Sequence, residues 1–157
     1  MSGLLTHGAS QPEPEWTLRL LDGSTLSSTS TRGRAVVLNF WGVWCAPCVR
    51  ELPELERVAE RSGRARDAVF VAVDSARGRE TEAEVRAFAS ERGLHVPVAY
   101  EADGAAYSAF GVTGLPTTLV IDRDGRIRYR RFGFSASAHY ADWLEGVVDE
   151  LSSEATG

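Results

Sequence analysis

The chain has 157 residues, of which 43% are hydrophobic and 25% charged, an ordinary composition for one folded domain with its own core. The net charge of −5 argues against nucleic acid or an anionic membrane surface as the main partner. No apolar run approaches the ~20 residues that a membrane helix needs. Residues 1–16 lack the basic start and apolar stretch of a signal peptide. Two expectations follow. Either the protein is cytoplasmic, or this sequence starts after a signal or anchor that was removed.

The first half of the chain alternates between strand and helix patterns. Polar residues with Gly and Pro predict a flexible segment over residues 1–14, ahead of one domain over residues 15–152. Two alternating segments around Asp22 and Gly23 predict a hairpin. The predicted elements up to residue 92 are a hairpin (16–20 and 24–28), a buried strand (35–41), a helix (46 to about 61), a second buried strand (68–73) and a second helix (81–92).

Two features of these helices are predicted from single residues. Pro53 lies inside the first helical pattern and is expected to kink it, because its ring displaces a backbone hydrogen bond. Thr81 and Glu84 have the spacing of a capping box at the start of the second helix.

The second half predicts a short strand, a turn, a hairpin and a closing helix. The hairpin is centred on Asp124 and Gly125, a strong turn signal. The predicted ranges are 95–100, 104–110, 119–122 with 126–132, and 138–151, followed by a flexible end over residues 153–157. This order predicts an α/β fold in which right-handed crossovers give a mixed sheet with helices on both faces.

Cys45 and Cys48 are the only cysteines of the chain, and they stand where the first buried strand gives way to a helix. A helix N-terminus carries about half a positive charge, so a thiol there ionises below its free pKa of ~8.5. Cys45 is therefore predicted to be the attacking thiolate. Cys48, one turn further in, is placed to displace a bound partner by closing the ring.

Two other interpretations of this pair remain open. A structural disulfide is possible, but such a short loop removes little chain entropy and so stabilises little. A zinc site would need two more ligands, and the three histidines are scattered singly.

Three segments resemble the TlpA/ResA-like branch of the thioredoxin superfamily. They are residues 39–53 (NFWGVWCAPCVRELP), residues 111–118 (GVTGLPTT) and residues 121–127 (IDRDGRI), in the order of that family. The resemblance implies a thioredoxin fold over about residues 16–151, with a mixed central sheet flanked by helices and an N-terminal β-hairpin extension. It also implies that Cys45 attacks and Cys48 resolves.

The same resemblance implies a substrate-binding surface around the cysteines. Trp44 resembles the aromatic wall beside the disulfide, although a packed core tryptophan is the alternative. Pro47 falls in the first helical turn, where its missing N–H costs nothing and its fixed φ helps to shape the redox ring. Pro116 resembles the family's cis-proline, and it would leave the backbone of Leu115 free to pair with an extended substrate, beside Gly114.

Glu51 is the candidate proton acceptor for Cys48. Thioredoxins proper carry a buried Asp where this chain has Asn39, whereas ResA-like members carry a Glu three residues after the second cysteine, the position of Glu51. That spacing places Glu51 on the helix face of Cys48. The alternative is a solvated acid favoured by the helix dipole. Asp74 and Glu80 are predicted to be solvated loop acids.

The resemblance implies a thiol–disulfide oxidoreductase that acts on protein disulfides, in the reducing direction, and that needs no organic cofactor or metal. The expected partners are protein thiol or disulfide substrates and an upstream electron donor, with no nucleic acid, and the protein is expected to be a monomer. By resemblance it would act outside the cytoplasm if a signal or anchor was removed.

Three alternatives compete with this function. A copper chaperone of the Sco type would need a suitably placed His and the spacing C-x-x-x-C. That spacing is one residue longer than the C-x-x-C of this chain. A peroxidase on this fold would need a Thr shortly before the cysteine, which is absent. A binding module without activity would have little reason to keep the intact W-C-x-P-C.

Overall fold

The structure is a computed structural model that describes residues 5–6, 10–76, 79–135 and 138–155. Its elements, in chain order, are β1 (Leu5–Thr6), β2 (Gln11–Pro12), β3 (Thr17–Arg19), β4 (Thr25–Ser27), β5 (Val36–Trp41), α1 (Ala46–Arg66), β6 (Val69–Ser75), α2 (Glu82–Arg92), β7 (Val98–Glu101), α3 (Ala105–Ala109), β8 (Thr117–Ile121), β9 (Arg126–Phe132) and α4 (Tyr140–Ser153). The predicted order of hairpin, β-α-β-α-β, hairpin and final helix is confirmed.

The central sheet is mixed, as predicted. Its strands follow the order β1-β9-β8-β5-β6-β7, and β2 also pairs with β9. β5 pairs in parallel with β6 and antiparallel with β8. Every residue of β5 and β6 is buried, which is the burial that their near-continuous apolar sequences predict.

Each face of the sheet carries its own apolar core. One core contains residues of α1, α2 and α4, among them Leu55, Val85 and Leu144. The other contains Leu18 of the β3–β4 hairpin with Ala106 and Phe110 around α3. The helices therefore cover both faces, and the N-terminal hairpin lies on the side away from α1.

Helix α1 is longer than the sequence predicts. It runs through Gly63 to Arg66, and Asp67 ends it in the left-handed conformation at φ 54°. The last turn is held by tertiary contacts, because Arg61 pairs with Glu145 at 2.9 Å and Arg66 with Asp149 at 3.0 Å, both on α4. The helix also continues across Pro53.

Residues near both chain ends contact β9. Gln11–Pro12 pairs with Arg126 and Ile127 of β9, and Leu5–Thr6 pairs further along the same strand. Residues 1–4 and 7–9 of the predicted flexible segment lie outside the described residues. At the other end Ser153 is the last residue of α4, and Glu154 pairs with Arg128 at 2.6 Å. Residues 156–157 lie outside the described part.

Local turn and cap chemistry follows the sequence closely. Gly23 and Gly125 take positive φ at the two hairpin turns. Thr81 and Glu84 form the predicted capping box of α2. None of the helices in the described part of the chain is both long enough and apolar enough to span a membrane.

Candidate active site

The two cysteines are joined in a disulfide at the start of α1. Cys45 is the N-cap residue, with extended backbone angles, and α1 begins at Ala46. The Cα atoms of Cys45 and Cys48 are 5.3 Å apart, and the Cys45 sulfur accepts a hydrogen bond from the Cys48 N–H at 3.4 Å. Pro47 lies in the first helical turn, as predicted. A thiolate at Cys45 would therefore meet the positive end of the helix dipole.

Both sulfur-bearing residues are well covered in this oxidised form. Cys45 is 6% exposed and Cys48 is 1% exposed. Cys45 is thus the more exposed of the two cysteines, although both are buried in the disulfide form.

Trp44 lies beside the pair and is a surface residue. Its side chain is 52% exposed, and the Arg79 guanidinium lies 4.5 Å from the centre of the indole ring. A Cβ on Gly42 would lie 2.7 Å from Trp44 Nε1, so glycine lets the indole fold against the backbone. This exposure excludes the alternative of a packed core tryptophan.

The loop before β8 contains the second predicted segment, and its Leu115–Pro116 peptide bond is cis. Leu115 packs against the core cluster whose members include Cys45 and Cys48. The Gly133 N–H donates to the Pro116 carbonyl at 2.8 Å. The structure thus confirms the cis bond, while the place of Pro116 beside the cysteine pair stays a prediction.

Phe132 lies against the loop of residues 114–116, and sequence analysis did not single it out. It is 51% exposed, and Trp44 and Phe132 are the exposed large hydrophobic side chains among the described residues. A Cβ on Gly114 would overlap the Phe132 ring. Gly114 is therefore the residue that lets the ring of Phe132 lie against the loop of Leu115 and Pro116.

Glu51 is buried on the helix face of Cys48. It is 2% exposed, which rules out the solvated alternative. The Asn39 Nδ2 donates to Glu51 Oε1 at 2.5 Å. Burial raises the pKa of Glu51 to about 8, against the opposing effects of the Asn39 hydrogen bond and the Arg131 charge. A carboxyl with that pKa can exchange a proton with a thiol near neutral pH.

A hydrogen-bonded chain leads from Glu51 towards α4. Asn39 Nδ2 also donates to Thr118 Oγ1 at 3.1 Å, and Thr118 shares a hydrogen bond with the Tyr140 hydroxyl at 2.9 Å. The buried Arg131 guanidinium lies 5.4 Å from the Tyr140 ring centre. Thr118 stands in the G-L-P-T-T motif, but nothing in the sequence pattern marks Tyr140 or Arg131.

The prediction of solvated acids at Asp74 and Glu80 is wrong. Asp74 is 1% exposed and Glu80 is 7% exposed. β6 extends to Ser75 and so carries Asp74 into the sheet, next to Trp41. Glu80 Oε1 accepts the Val43 N–H at 3.0 Å, which draws Glu80 in against the residues that precede Cys45.

Comparison with known proteins agrees with this geometry. The family model described as Redoxin matches residues 8–141, which include the cysteines, Glu51 and the cis-proline. The chain belongs to the redoxin family. The thiol-disulfide oxidoreductase ResA of Geobacillus thermodenitrificans is 36% identical over 137 residues, covering 85% of this chain and 75% of that protein.

Solved structures confirm the thioredoxin-like fold. A putative thiol:disulfide interchange protein DsbE from Chlorobium tepidum superposes with a TM-score of 0.81 at 23% identity, covering 94% of this chain and 99% of that one. The exposed lipoprotein thioredoxin Etrx1 of Streptococcus pneumoniae superposes with a TM-score of 0.76 at 27% identity, covering 88% of this chain and 100% of that one.

These comparisons establish the reaction class. This redoxin is a thiol–disulfide oxidoreductase whose redox-active pair is Cys45 and Cys48. The copper-chaperone alternative is not supported, because the relatives are thiol–disulfide oxidoreductases. A purely structural disulfide and a zinc site are not supported either.

Proposed function

We propose that this redoxin reduces disulfides of protein substrates, with Cys45 as the attacking thiolate and Cys48 as the resolving thiol. The observation that carries the proposal is the place of Cys45 as N-cap of α1, where its sulfur accepts the Cys48 N–H. The same hydrogen bond and the helix dipole stabilise negative charge on Cys45 once the disulfide is reduced.

The exchange proceeds in two steps that conserve atoms and electrons. The Cys45 thiolate attacks one substrate sulfur, forms a mixed disulfide and releases the other substrate sulfur as a thiolate. Cys48 then loses its proton and attacks Cys45, which releases the second substrate thiolate. Two electrons pass to the substrate, and the enzyme is left with the Cys45–Cys48 disulfide seen here. An upstream dithiol donor returns the pair to its reduced form.

Glu51 is the proposed acceptor of the Cys48 proton. It lies one helical turn from Cys48 on the same buried face, and its pKa of about 8 is close to the ~8.5 of a free thiol. Asn39 holds the carboxylate by a hydrogen bond, and Arg131 stabilises its charge. Proton transfer between groups of similar pKa needs little free energy.

The substrate-binding residues are proposed from their positions around the pair. Trp44 supplies an exposed aromatic surface, and Gly114, Leu115 and Pro116 form the facing loop. Pro47 shapes the redox ring from within the first turn of α1. In this proposal an extended peptide with a disulfide at its centre binds between the loop and the indole.

The proposal is tested by insulin reduction with dithiothreitol as the electron source. The wild-type protein is expected to accelerate reduction, and Cys45→Ser is expected to abolish the acceleration. Cys48→Ser is expected to accumulate a mixed disulfide between Cys45 and an insulin chain, seen by non-reducing mass spectrometry. Acceleration that survives Cys45→Ser would contradict the assignment.

The direction of the reaction needs its own measurement. Redox proteins of this type span from about −270 to about −120 mV. Equilibration with glutathione buffers is expected to place Cys45–Cys48 towards the reducing end of that range. A potential at the oxidising end would contradict the proposed reduction of substrates.

A further inference from the structure

Asp74 is a buried carboxyl that the proposed exchange does not use. It lies in β6 between Trp41 of β5 and Tyr100 of β7, and it is 1% exposed. Neither of its carboxyl oxygens accepts a hydrogen bond from any residue in the described part of the chain. An ionised carboxylate in that setting costs several kcal/mol in lost hydration, so Asp74 favours a state in which it holds a proton.

Glu80 is held against residues on both sides of Asp74. Its Oε1 accepts the N–H of Val43, two residues after Trp41, and its backbone carbonyl accepts the Tyr100 hydroxyl. Burial, and then contact with Glu80, raise the pKa of Asp74. Two ionised carboxylates offer each other only acceptors, whereas one proton between them supplies the missing donor. The two side chains are thus complementary only when they hold a single proton.

Residues 79 and 80 also contact the residues that precede the reactive cysteine. Glu80 Oε1 accepts the Val43 N–H at 3.0 Å, and the Arg79 guanidinium covers the Trp44 ring at 4.5 Å. The Tyr100 hydroxyl donates to the Glu80 carbonyl at 2.9 Å and so fixes the backbone at that point. Movement of Glu80 would therefore be transmitted to Val43 and Trp44.

We propose that Asp74 and Glu80 share one proton and act as a positioning pair for the residues that precede Cys45. The inference rests on the proposed exchange through Cys45. Asp74 holds the proton and donates it to the Glu80 carboxyl, whose Oε1 accepts the Val43 N–H. Neither residue touches the reacting sulfurs; the pair acts through Val43 and, by way of Arg79, through Trp44.

The other charged groups around the pair leave this arrangement intact. Glu82 is engaged by Arg19 and Arg86, each at 3.0 Å. Glu84 is engaged in the capping box with Thr81. Tyr100 keeps its proton, because burial and the acidic side chains around it raise its pKa. Arg79, a cation among the described residues, lies on the Trp44 ring.

The shared proton is tested by infrared spectroscopy at about pH 7 in a Glu51→Gln background, which removes the other carboxyl of strongly raised pKa. The carbonyl stretch of one protonated carboxyl is expected. It should disappear in Asp74→Asn and in Glu80→Gln, because the amide then supplies the donor and the remaining acid ionises. Absence of the band from the background protein would overturn the shared proton.

The positioning role is tested with Glu51 intact, by kcat/KM for insulin reduction. Glu80→Gln keeps an oxygen that accepts the Val43 N–H and is expected to stay within about twofold of wild type. Glu80→Ala loses that acceptor and is expected to lose about three- to tenfold in kcat/KM, the worth of one hydrogen bond. Glu91→Gln, an exposed acid of α2, is the charge control.

The outcomes separate this inference from the proposed function. Equal kcat/KM for Glu80→Ala and Glu80→Gln would overturn the positioning role while leaving the exchange intact. A wild-type protein that fails to reduce insulin would overturn the exchange, while the infrared band would still report on the pair. A loss in Glu91→Gln as large as that in Glu80→Ala would also contradict the positioning role.

Discussion

Glu51 and Asn39 form a buried polar contact that continues through Thr118 to Tyr140. Thioredoxins proper carry an acid at the position of Asn39, whereas here the acid comes from α1 and the amide from β5. The amide cannot take a proton, but it holds the carboxyl that can. The proposed proton acceptor therefore stands on the helix, on the buried face of Cys48.

Glu51→Gln is expected to change the pH dependence of insulin reduction. In the wild type the rate should rise as pH passes through about 8, because Glu51 ionises there. The variant should lack this rise in rate, since it has lost a general base. Near pH 8 its rate of insulin reduction should be lower than that of the wild type by about tenfold or more. Glu60→Gln, an exposed acid on α1, is the control. Superimposable pH profiles would contradict the role of Glu51.

At the residue scale the sequence predicts the reactive groups better than their surroundings. The two cysteines, Glu51 and Pro116 stand at fixed spacings within motifs, so the sequence predicts them as site candidates. Thr118 and Tyr140 come together only through the pairing of β5 with β8 and the packing of α4, which no local pattern encodes. The burial of Asp74 depends likewise on how far β6 extends between its neighbours.

At the scale of elements, the loop of residues 114–116 and the end of β9 form one side of the proposed substrate surface. Glycine at position 114 is needed because a side chain there would overlap the Phe132 ring. Phe132 stands opposite Thr117 in the register of β8 with β9, so its position is fixed by the sheet.

Gly114→Ala is expected to displace Phe132 and weaken docking of protein substrates. KM for insulin should rise several-fold, by analogy with the loss of an ordered apolar contact of about 1 kcal/mol. Alkylation of reduced Cys45 by a small reagent should stay unchanged, since the sulfur itself is not displaced. A KM equal to that of the wild type would show that the ring does not contact substrate.

Two other glycines test the geometry of the helices. Gly146→Ala, in the exposed middle of α4 with no atom within 4 Å of the new Cβ, is expected to stabilise the protein by about 0.5–1 kcal/mol. Gly93→Ala, at the left-handed C-cap of α2 with φ 61°, is expected to destabilise it by about 1 kcal/mol. Urea unfolding measures both, and a destabilised Gly146→Ala would contradict the open setting of that position.

Element existence follows from the sequence, whereas element ends depend on tertiary contacts. Hydrophobic runs and D-G turns predict the core strands and both hairpins. The part of α1 beyond Arg61 contacts α4 through the ion pair of Arg66 with Asp149. The short strands before residue 15 exist because β9 offers a free edge, which a polar sequence with Gly and Pro does not reveal.

At the scale of the whole molecule, buried acids link folding stability to pH. The pKa of Glu51 is raised from 4.5 to about 8 on folding, chiefly by burial. The folded state therefore binds the proton more tightly than the unfolded chain. The stabilisation is fully present below about pH 4.5 and is lost as the pH rises through about 8.

Comparison of Glu51→Gln with the wild type should isolate this effect. The free energy of unfolding in urea is expected to fall between about pH 5 and about pH 9 in both proteins, because the pKa of Asp74 is raised as well. The fall should be smaller in Glu51→Gln, which has lost one of the two acids. Parallel curves would show that Glu51 does not carry a raised pKa in the folded state.

Differential alkylation of the fully reduced protein tests the central assignment most directly. Brief treatment with iodoacetamide near pH 7, followed by peptide mass spectrometry, reports which sulfur is the accessible thiolate. Cys45 should be labelled first and Cys48 only slowly, because Cys45 caps α1 and Cys48 is 1% exposed. Faster labelling of Cys48 would contradict the assignment of Cys45 as the nucleophile.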